Sequence, residues 1–293
     1  MEKIPDSRVK QESGELTRQQ RIWIWGRTLQ RASFPLLLYV IVPAVCLAAG
    51  YVLWHQDMSA QEFFTYGGNF YSALGMILTL VILHRRSKKQ GSSFFQDATL
   101  FLHKAEPKKA AAFVGFGLAA AVTVSAVLTL LPRWGVSTSY TEASQTMFKG
   151  RDVLFTVVTT VLTAPLTEEI IFRGYMLNTL METFEEKQAV WIVSLVFAFC
   201  HGSALWILYA LLMGLVLSWV AMREDNILYS IFMHMGFNLL SAVVWLVNST
   251  AGGAGLFFSG KWLVAAYGLI GLMVCLLLAR RYLSAGKPDE PVG

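Results

Sequence analysis

Charged residues are scarce in this sequence. Of its 293 residues, 15% are charged and 55% are hydrophobic, and the mean hydropathy is +0.51. Soluble domains carry about 25% charged residues, so this apolar surplus exceeds what one water-soluble core can bury. The composition excludes a large soluble domain and predicts a membrane protein whose main partner is the lipid bilayer.

Cysteine is also scarce, with three in the chain: Cys46, Cys200 and Cys275. Each lies in an apolar run, where a thiol packs as a small hydrophobic group, so no disulfide framework is expected. The net charge of +5 does not indicate a nucleic-acid partner. The basic residues flank apolar runs instead of alternating with exposed aromatic residues, which is typical of membrane topology signals.

The apolar residues cluster into runs that can cross a bilayer. Each span needs about 20 apolar residues, and eight runs are predicted: 34–54, 64–84, 110–131, 152–177, 188–203, 204–222, 226–248 and 261–280. The sequence therefore predicts an all-α polytopic protein of about eight transmembrane helices over 34–281. A cytoplasmic tail and juxtamembrane segment (1–33) precede it, and a cytoplasmic tail (282–293) follows it.

One boundary between these spans depends on a short break. The stretch 188–222 divides in two only if a tight turn forms around His201, Gly202 and Ser203, which would let both pieces cross with their backbone hydrogen bonds satisfied.

The basic residues predict which ends of the spans face the cytoplasm. With the N-terminus inside, the inner segments hold 19 Lys and Arg and the outer segments hold 4. The positive-inside rule then places both termini in the cytoplasm. Short loops and the lack of a targeting segment favour a bacterial plasma membrane. Residues 94–103 form a short amphipathic stretch on the same side, expected to lie at the membrane surface.

A few polar residues interrupt the later apolar runs. A charged side chain within a span costs about 2.5–3.5 kcal/mol even on the lenient insertion scale, so each one needs a reason. They are Glu168, Glu169, Arg173, His201, His234 and Asn238. Counting about 1.5 Å per residue from the expected inner ends, Glu168, His201 and His234 lie at depths of about 15, 20 and 12 Å. Groups at similar depth on three helices predict one site in the inner half of the membrane.

Their spacing predicts partners. Glu169 and Arg173 are four residues apart and can form an ion pair on one helix face. Glu168 points about 100° away and has no local partner, which makes it the candidate general base. His234 and Asn238, also four apart, could together donate hydrogen bonds to an oxyanion. Phe197 lies one helical turn before His201, so its ring can pack against the imidazole.

These motifs resemble those of the CAAX protease and bacteriocin-processing family, also called the Abi family. The motifs are Glu168-Glu169-Ile-Ile-Phe-Arg173, Phe197-Ala-Phe-Cys-His201 and His234-Met-Gly-Phe-Asn238, in the family's order over about 152–245. The resemblance implies an eight-helix membrane fold with a conical polar cavity open to the cytoplasm.

The resemblance also implies the chemistry. It implies intramembrane endopeptidase activity on membrane-associated peptide or protein precursors, without a cofactor. Glu168 and His201 would activate a water, His234 and Asn238 would form the oxyanion hole, and Glu169, Arg173 and Phe197 would support the site. Associated envelope proteins are a further possible class of partner that the sequence does not identify.

Three other interpretations use the same residues. Two imidazoles and a carboxylate can bind zinc, although the diagnostic His-Glu-x-x-His spacing is absent and Arg173 would repel a cation. A non-proteolytic bacteriocin-immunity or scaffold protein could keep a vestigial site. A proton-coupled transporter would use the carboxylate and histidines as a relay, but the matching broken helices of two repeats are not seen.

Overall fold

The computed structural model describes residues 17–54, 57–98, 105–131, 152–202, 204–250 and 260–283, and these residues contain helices and no strand. In chain order the helices are α1 (Arg18–Trp54), α2 (Ala60–Tyr66), α3 (Gly68–Lys89), α4 (Phe94–Asp97), α5 (Pro107–Leu130), α6 (Val153–Met181), α7 (Glu186–Phe199), α8 (Ala204–Glu224), α9 (Ile227–Thr250) and α10 (Lys261–Leu283). The all-α polytopic membrane architecture predicted from the sequence is confirmed.

The number of complete spans is smaller than eight by length and composition. Among the described residues five helices qualify, α1, α5, α6, α8 and α10, and α2 with α3 makes a sixth if that pair, bent by 68°, is one span. Each predicted run nevertheless contains a helix. The α7 helix, with 14 residues, is about 21 Å long and falls short of a bilayer core of about 30 Å. Eight spans remain a prediction.

The predicted break between α7 and α8 is present. The α7 helix ends at Phe199, and Gly202 has φ = 85°, a left-handed conformation that glycine adopts without steric cost. His201 therefore sits at the end of a short helix, before the chain turns into α8.

The first helix begins earlier than the predicted span. It starts at Arg18, so the juxtamembrane segment continues directly into the first span. Pro43 lies inside this helix, and a Cβ added to Gly75 of α3 would overlap the backbone of Pro43. The α1 and α3 backbones thus meet at this point because Gly75 has no side chain.

The α5 and α9 helices approach closely for the same reason. A Cβ on Gly117 would overlap the Met233 carbonyl, and a Cβ on Gly236 would overlap the Val114 carbonyl. Small residues let membrane helices bring their backbones together. This contact fixes the segment of α9 that carries His234 and Asn238.

Several contacts show which helix ends lie together. Arg31 of α1 binds Glu182 through two hydrogen bonds of 2.6 and 2.9 Å, and Lys109 of α5 pairs with Glu224 of α8. At the opposite end of α6, Asn69 of α3 donates to Thr156 at 2.7 Å. The helix ends that the sequence assigns to the inner side therefore share one end of the bundle.

Of the stretch predicted to lie at the membrane surface, Phe94–Asp97 forms the short helix α4. Residues 99–103 lie outside the described residues.

Candidate active site

The α6 helix is not a regular α-helix around the predicted site. An α-helical stretch, Ala164–Glu169, lies between two π-helical segments, Val158–Thr163 and Ile170–Leu177. Glu168 and Glu169 end the α-helical stretch, and Arg173 lies in the second π segment. Such π segments are rare and often occur at functional sites, because they locally change the direction of side chains.

The ion pair predicted from sequence spacing is present. Arg173 Nη1 donates to Glu169 Oε1 at 2.8 Å, and both side chains are fully buried. The other guanidinium nitrogens are also bound, since Nη2 donates to the Gly214 carbonyl (2.9 Å) and Nε donates to Ser218 Oγ (3.3 Å). Burial of a charge is tolerated when its hydrogen bonds are satisfied in this way.

Phe197 connects the charged groups. Its ring centroid lies 4.6 Å from the Arg173 guanidinium carbon, 4.6 Å from the His201 ring and 5.9 Å from the His234 ring. Phe197 is 1% exposed. The predicted packing of Phe197 against His201 is present, and the same ring also packs against Arg173 and His234.

His234 lies between the two glutamates. Its Nδ1 is 3.0 Å from Glu169 Oε1, and its Nε2 is 3.8 Å from Glu168 Oε2. A carboxylate paired with Arg173 only accepts hydrogen bonds, so Nδ1 carries the proton and donates. In the neutral ring Nε2 then holds the lone pair, and His234 can donate from Nε2 only as the imidazolium.

Glu168 has a partner that spacing along its own helix could not reveal. The Tyr39 hydroxyl of α1 donates to Glu168 Oε1 at 2.7 Å. The other oxygen, Oε2, has no hydrogen bond among the described residues and faces His234. The Glu168 side chain is 13% exposed, whereas the Glu169 side chain is fully buried. The two adjacent glutamates therefore differ in accessibility.

His201 lies on the other side of Phe197. Its Nδ1 is 2.7 Å from the Phe197 carbonyl, which can only accept, so Nδ1 donates and neutral Nε2 keeps its lone pair. His201 forms no ion pair within 4.0 Å with Glu168 in the described structure. The predicted joint action of the two groups is not tested by this geometry.

Asn238 is held by the first π segment of α6. In that segment Ala164 N donates to the Thr159 carbonyl, five residues back. In the same register the donor to the Thr160 carbonyl would be residue 165, a proline without an N–H. Asn238 Nδ2 donates to this Thr160 carbonyl at 2.8 Å. An amide nitrogen carries two hydrogens, so one remains for another acceptor.

Comparison with known protein families matches the segment that carries these motifs. The family model described as type II CAAX prenyl endopeptidase Rce1-like matches residues 150–240. The match falls on the same segment as the motifs that resemble the CAAX protease and bacteriocin-processing family. The family match supports a CAAX-type intramembrane protease in general terms.

One curated relative is similar to part of this chain. The chain is 32% identical to the UPF0177 protein YxdF of Lactococcus lactis subsp. lactis (strain IL1403) over 76 residues, which is 26% of this chain and 41% of that protein. The chain thus matches less than half of that relative. No solved structure matches.

Several residues that bind the motif side chains were not predicted from the sequence. Ser218, the Gly214 carbonyl and the Thr160 carbonyl bind motif side chains from within 150–240, whereas Tyr39 lies outside it. The one feature of the sequence that could have indicated the Tyr39 contact is a hydroxyl group within an apolar run. Such hydroxyls are frequent in membrane helices and do not identify a partner by themselves.

A cavity of about 190 Å³ lies at the bundle end near the α6–α7 and α8–α9 turns. Its lining includes Arg173, Asn178, Glu186, Asp225 and Asn226, and not Glu168 or His234. Of the buried ion pair it contacts Arg173, from the end predicted to be cytoplasmic. A conical cavity that leads to Glu168 remains a prediction.

No group of three His, Cys, Asp or Glu side chains among the described residues is arranged to hold a metal ion. Arg173 lies against Glu169, the carboxylate that His234 also contacts. The sequence predicts that the protein needs no metal ion.

Proposed function

We propose that this protein is an intramembrane endopeptidase that hydrolyses membrane-associated peptide or protein precursors through a glutamate-activated water. The observation that carries the proposal is the difference between the two adjacent glutamates. Each glutamate keeps one oxygen without a hydrogen bond among the described residues, but Glu169 is fully buried and bound by Arg173, while Glu168 is 13% exposed. A general base must have such an oxygen within reach of the water.

In this mechanism Glu168 Oε2 accepts a proton from a water molecule, and the oxygen of that water attacks the carbon of the scissile carbonyl. His201 assists, since its neutral Nε2 can also accept a proton. The carbonyl oxygen becomes an oxyanion, and the free amide hydrogen of Asn238 donates to it. The C–N bond then breaks, and the proton taken from the water passes to the leaving amine.

His234 has a conditional part in this scheme. It donates to the oxyanion from Nε2 only when both ring nitrogens carry protons, because Nδ1 is engaged with Glu169. We propose that Glu169 and Arg173 hold His234 in place, and that Phe197 keeps water away from that pair. No serine or cysteine nucleophile and no metal is needed.

The proposed substrates are peptide precursors or leader peptides that approach the inner membrane surface. A bacterial plasma membrane, expected from the sequence, makes prenylated proteins poor candidates. The proposed location has both termini in the cytoplasm.

The test compares wild type with Glu168→Gln, which keeps the shape of the side chain and removes the base. Both full-length proteins are expressed in host cells, and new N-termini of membrane-associated peptides are mapped by mass spectrometry. We expect wild type to generate termini that Glu168→Gln does not, and the variant to co-purify with the uncut precursor.

The matched control is Glu106→Gln, an exposed glutamate whose side chain makes no cap hydrogen bond at the start of α5. It should cleave like wild type. The same new termini from wild type and Glu168→Gln would rule out the proposal. If wild type generates none, the non-proteolytic interpretation is favoured.

A further inference from the structure

The hydrogen bond between Tyr39 and Glu168 joins residues that are 129 positions apart. Tyr39 lies on α1, outside the matched segment 150–240. We infer that Tyr39 is a positioning residue, which holds Glu168 Oε1 so that Oε2 is the oxygen presented to the reacting water. The first helix would then complete the active site. This inference rests on the proposed function.

The hydrogen bond has the geometry needed for that role. The O···O distance is 2.7 Å, typical of a hydroxyl that donates to a carboxylate, a class stronger than bonds between neutral groups. The last torsion of a glutamate side chain has a broad energy profile, so packing alone holds the carboxylate plane poorly. A donor fixed to one oxygen removes this freedom and leaves the second oxygen 3.8 Å from His234 Nε2.

The Tyr39 ring is itself held in place. It packs edge-on against Phe172, with ring centroids 6.4 Å apart and planes at 78°. Phe172 is 1% exposed and adjoins Arg173 in the second π segment. The ring therefore contacts the same part of α6 that carries the supporting ion pair.

The backbone of α1 near Tyr39 is anchored to α3. Pro43 has no N–H, so the Tyr39 carbonyl lacks the helical donor that residue 43 would supply. Gly75 meets Pro43 directly. Thr79 Oγ1 of α3 lies between two carbonyl acceptors, Gly75 of its own helix at 2.9 Å and Leu38 of α1 at 3.3 Å. These contacts fix the position of α1 at the level of Glu168.

The test replaces the hydroxyl and keeps the ring. Tyr39→Phe preserves the contact with Phe172 and removes the donor to Glu168. The matched control is Tyr51→Phe on the same helix, whose hydroxyl donates to the Met58 carbonyl at 3.2 Å. The probe is a synthetic peptide copied from the cleavage site mapped with the wild-type protein, assayed with full-length protein in proteoliposomes.

We expect Tyr39→Phe to lower kcat about tenfold to a hundredfold, because loss of orientation at a reacting group slows the chemical step. KM should stay within about threefold, since substrate binding is not removed. Tyr51→Phe should match wild type in both constants. Adding Tyr39→Phe to Glu168→Gln should cause no further loss, because Tyr39 acts through the Glu168 carboxylate.

A second variant separates positioning from folding. Replacing Tyr39 with para-aminophenylalanine restores a donor at the same place, and kcat should recover. Wild-type kcat in Tyr39→Phe, with Glu168→Gln inactive, would overturn this inference and leave the proposed function intact. No cleavage by wild type would remove the proposed function itself, and this inference with it.

Discussion

All three guanidinium nitrogens of Arg173 donate hydrogen bonds inside the membrane domain. One of these bonds goes to Glu169, whose buried negative charge is compensated by the guanidinium. In Arg173→Ala the Glu169 carboxylate would stay buried without its cation, which typically costs about 3–5 kcal/mol. We expect loss of folded protein as well as of activity, measured as yield and melting temperature in detergent.

The control for this prediction is Arg31→Ala, which removes the pair with Glu182. That pair is also bidentate, but its side chains are 43% and 48% exposed. Exposed pairs contribute about 0–1 kcal/mol, so the melting temperature should barely change. Equal melting of Arg173→Ala and wild type would contradict the supporting role of the ion pair.

Metal dependence is also decided at the level of single residues. Arg173 places a positive charge beside Glu169, the carboxylate that His234 contacts, and the His-Glu-x-x-His spacing of many zinc proteases is absent from the sequence. We expect protein washed with chelator to keep its activity, and elemental analysis to find substoichiometric zinc. Stoichiometric zinc that is lost together with activity, and restores it when added back, would favour a metalloprotease.

At the scale of elements, the close crossing of α5 and α9 positions half of the site. Gly236 lies between His234 and Asn238 in the chain, and a side chain there would meet the Val114 backbone of α5. Gly236→Ala should destabilise the protein by about 1–3 kcal/mol, as overpacking of a well-packed contact does. Cleavage should fall too, because α9 must shift.

The control for this prediction is Gly115→Ala, on α5 near the same crossing. A Cβ at Gly115 meets nothing within 4 Å. Alanine is also the better helix former by about 1 kcal/mol, so stability should be kept or rise. The role of close packing would be disproved if the two variants melt at the same temperature.

At the scale of the whole molecule, the inner ends predicted from sequence lie together in the bundle. Arg31 meets Glu182, and Lys109 meets Glu224, at that end. We expect Lys187→Cys to react with a membrane-impermeant thiol reagent only in inverted vesicles, and Lys261→Cys only in intact right-side-out cells. Both positions are exposed, and the three native cysteines, which are free thiols in the structure, would first be replaced by alanine or serine.

The reverse labelling pattern would place the termini outside. It would also remove the proposed supply of substrate from the cytoplasm, because the cavity beside Arg173 opens at the same end as Lys187.

The sequence by itself determined what depends on neighbours within one helix. The scarcity of charge indicated a membrane protein, and the four-residue spacings predicted the Glu169–Arg173 pair and the contact of Phe197 with His201. These predictions succeed because the helical period fixes which residues share a face. The break before α8 was also predictable, because Gly202 supplies the left-handed conformation.

Only the tertiary structure decided which groups meet across helices. His234 and Asn238 were expected to act as a pair, yet they bind different parts of α6, Glu169 and the Thr160 carbonyl. Tyr39 reaches Glu168 from a helix with no motif of its own. Such contacts depend on how helices are rotated and how closely they cross. Here the rotation and the close crossing of the helices depend on π segments, prolines and glycines, and their combined effect is set only when the helices pack together.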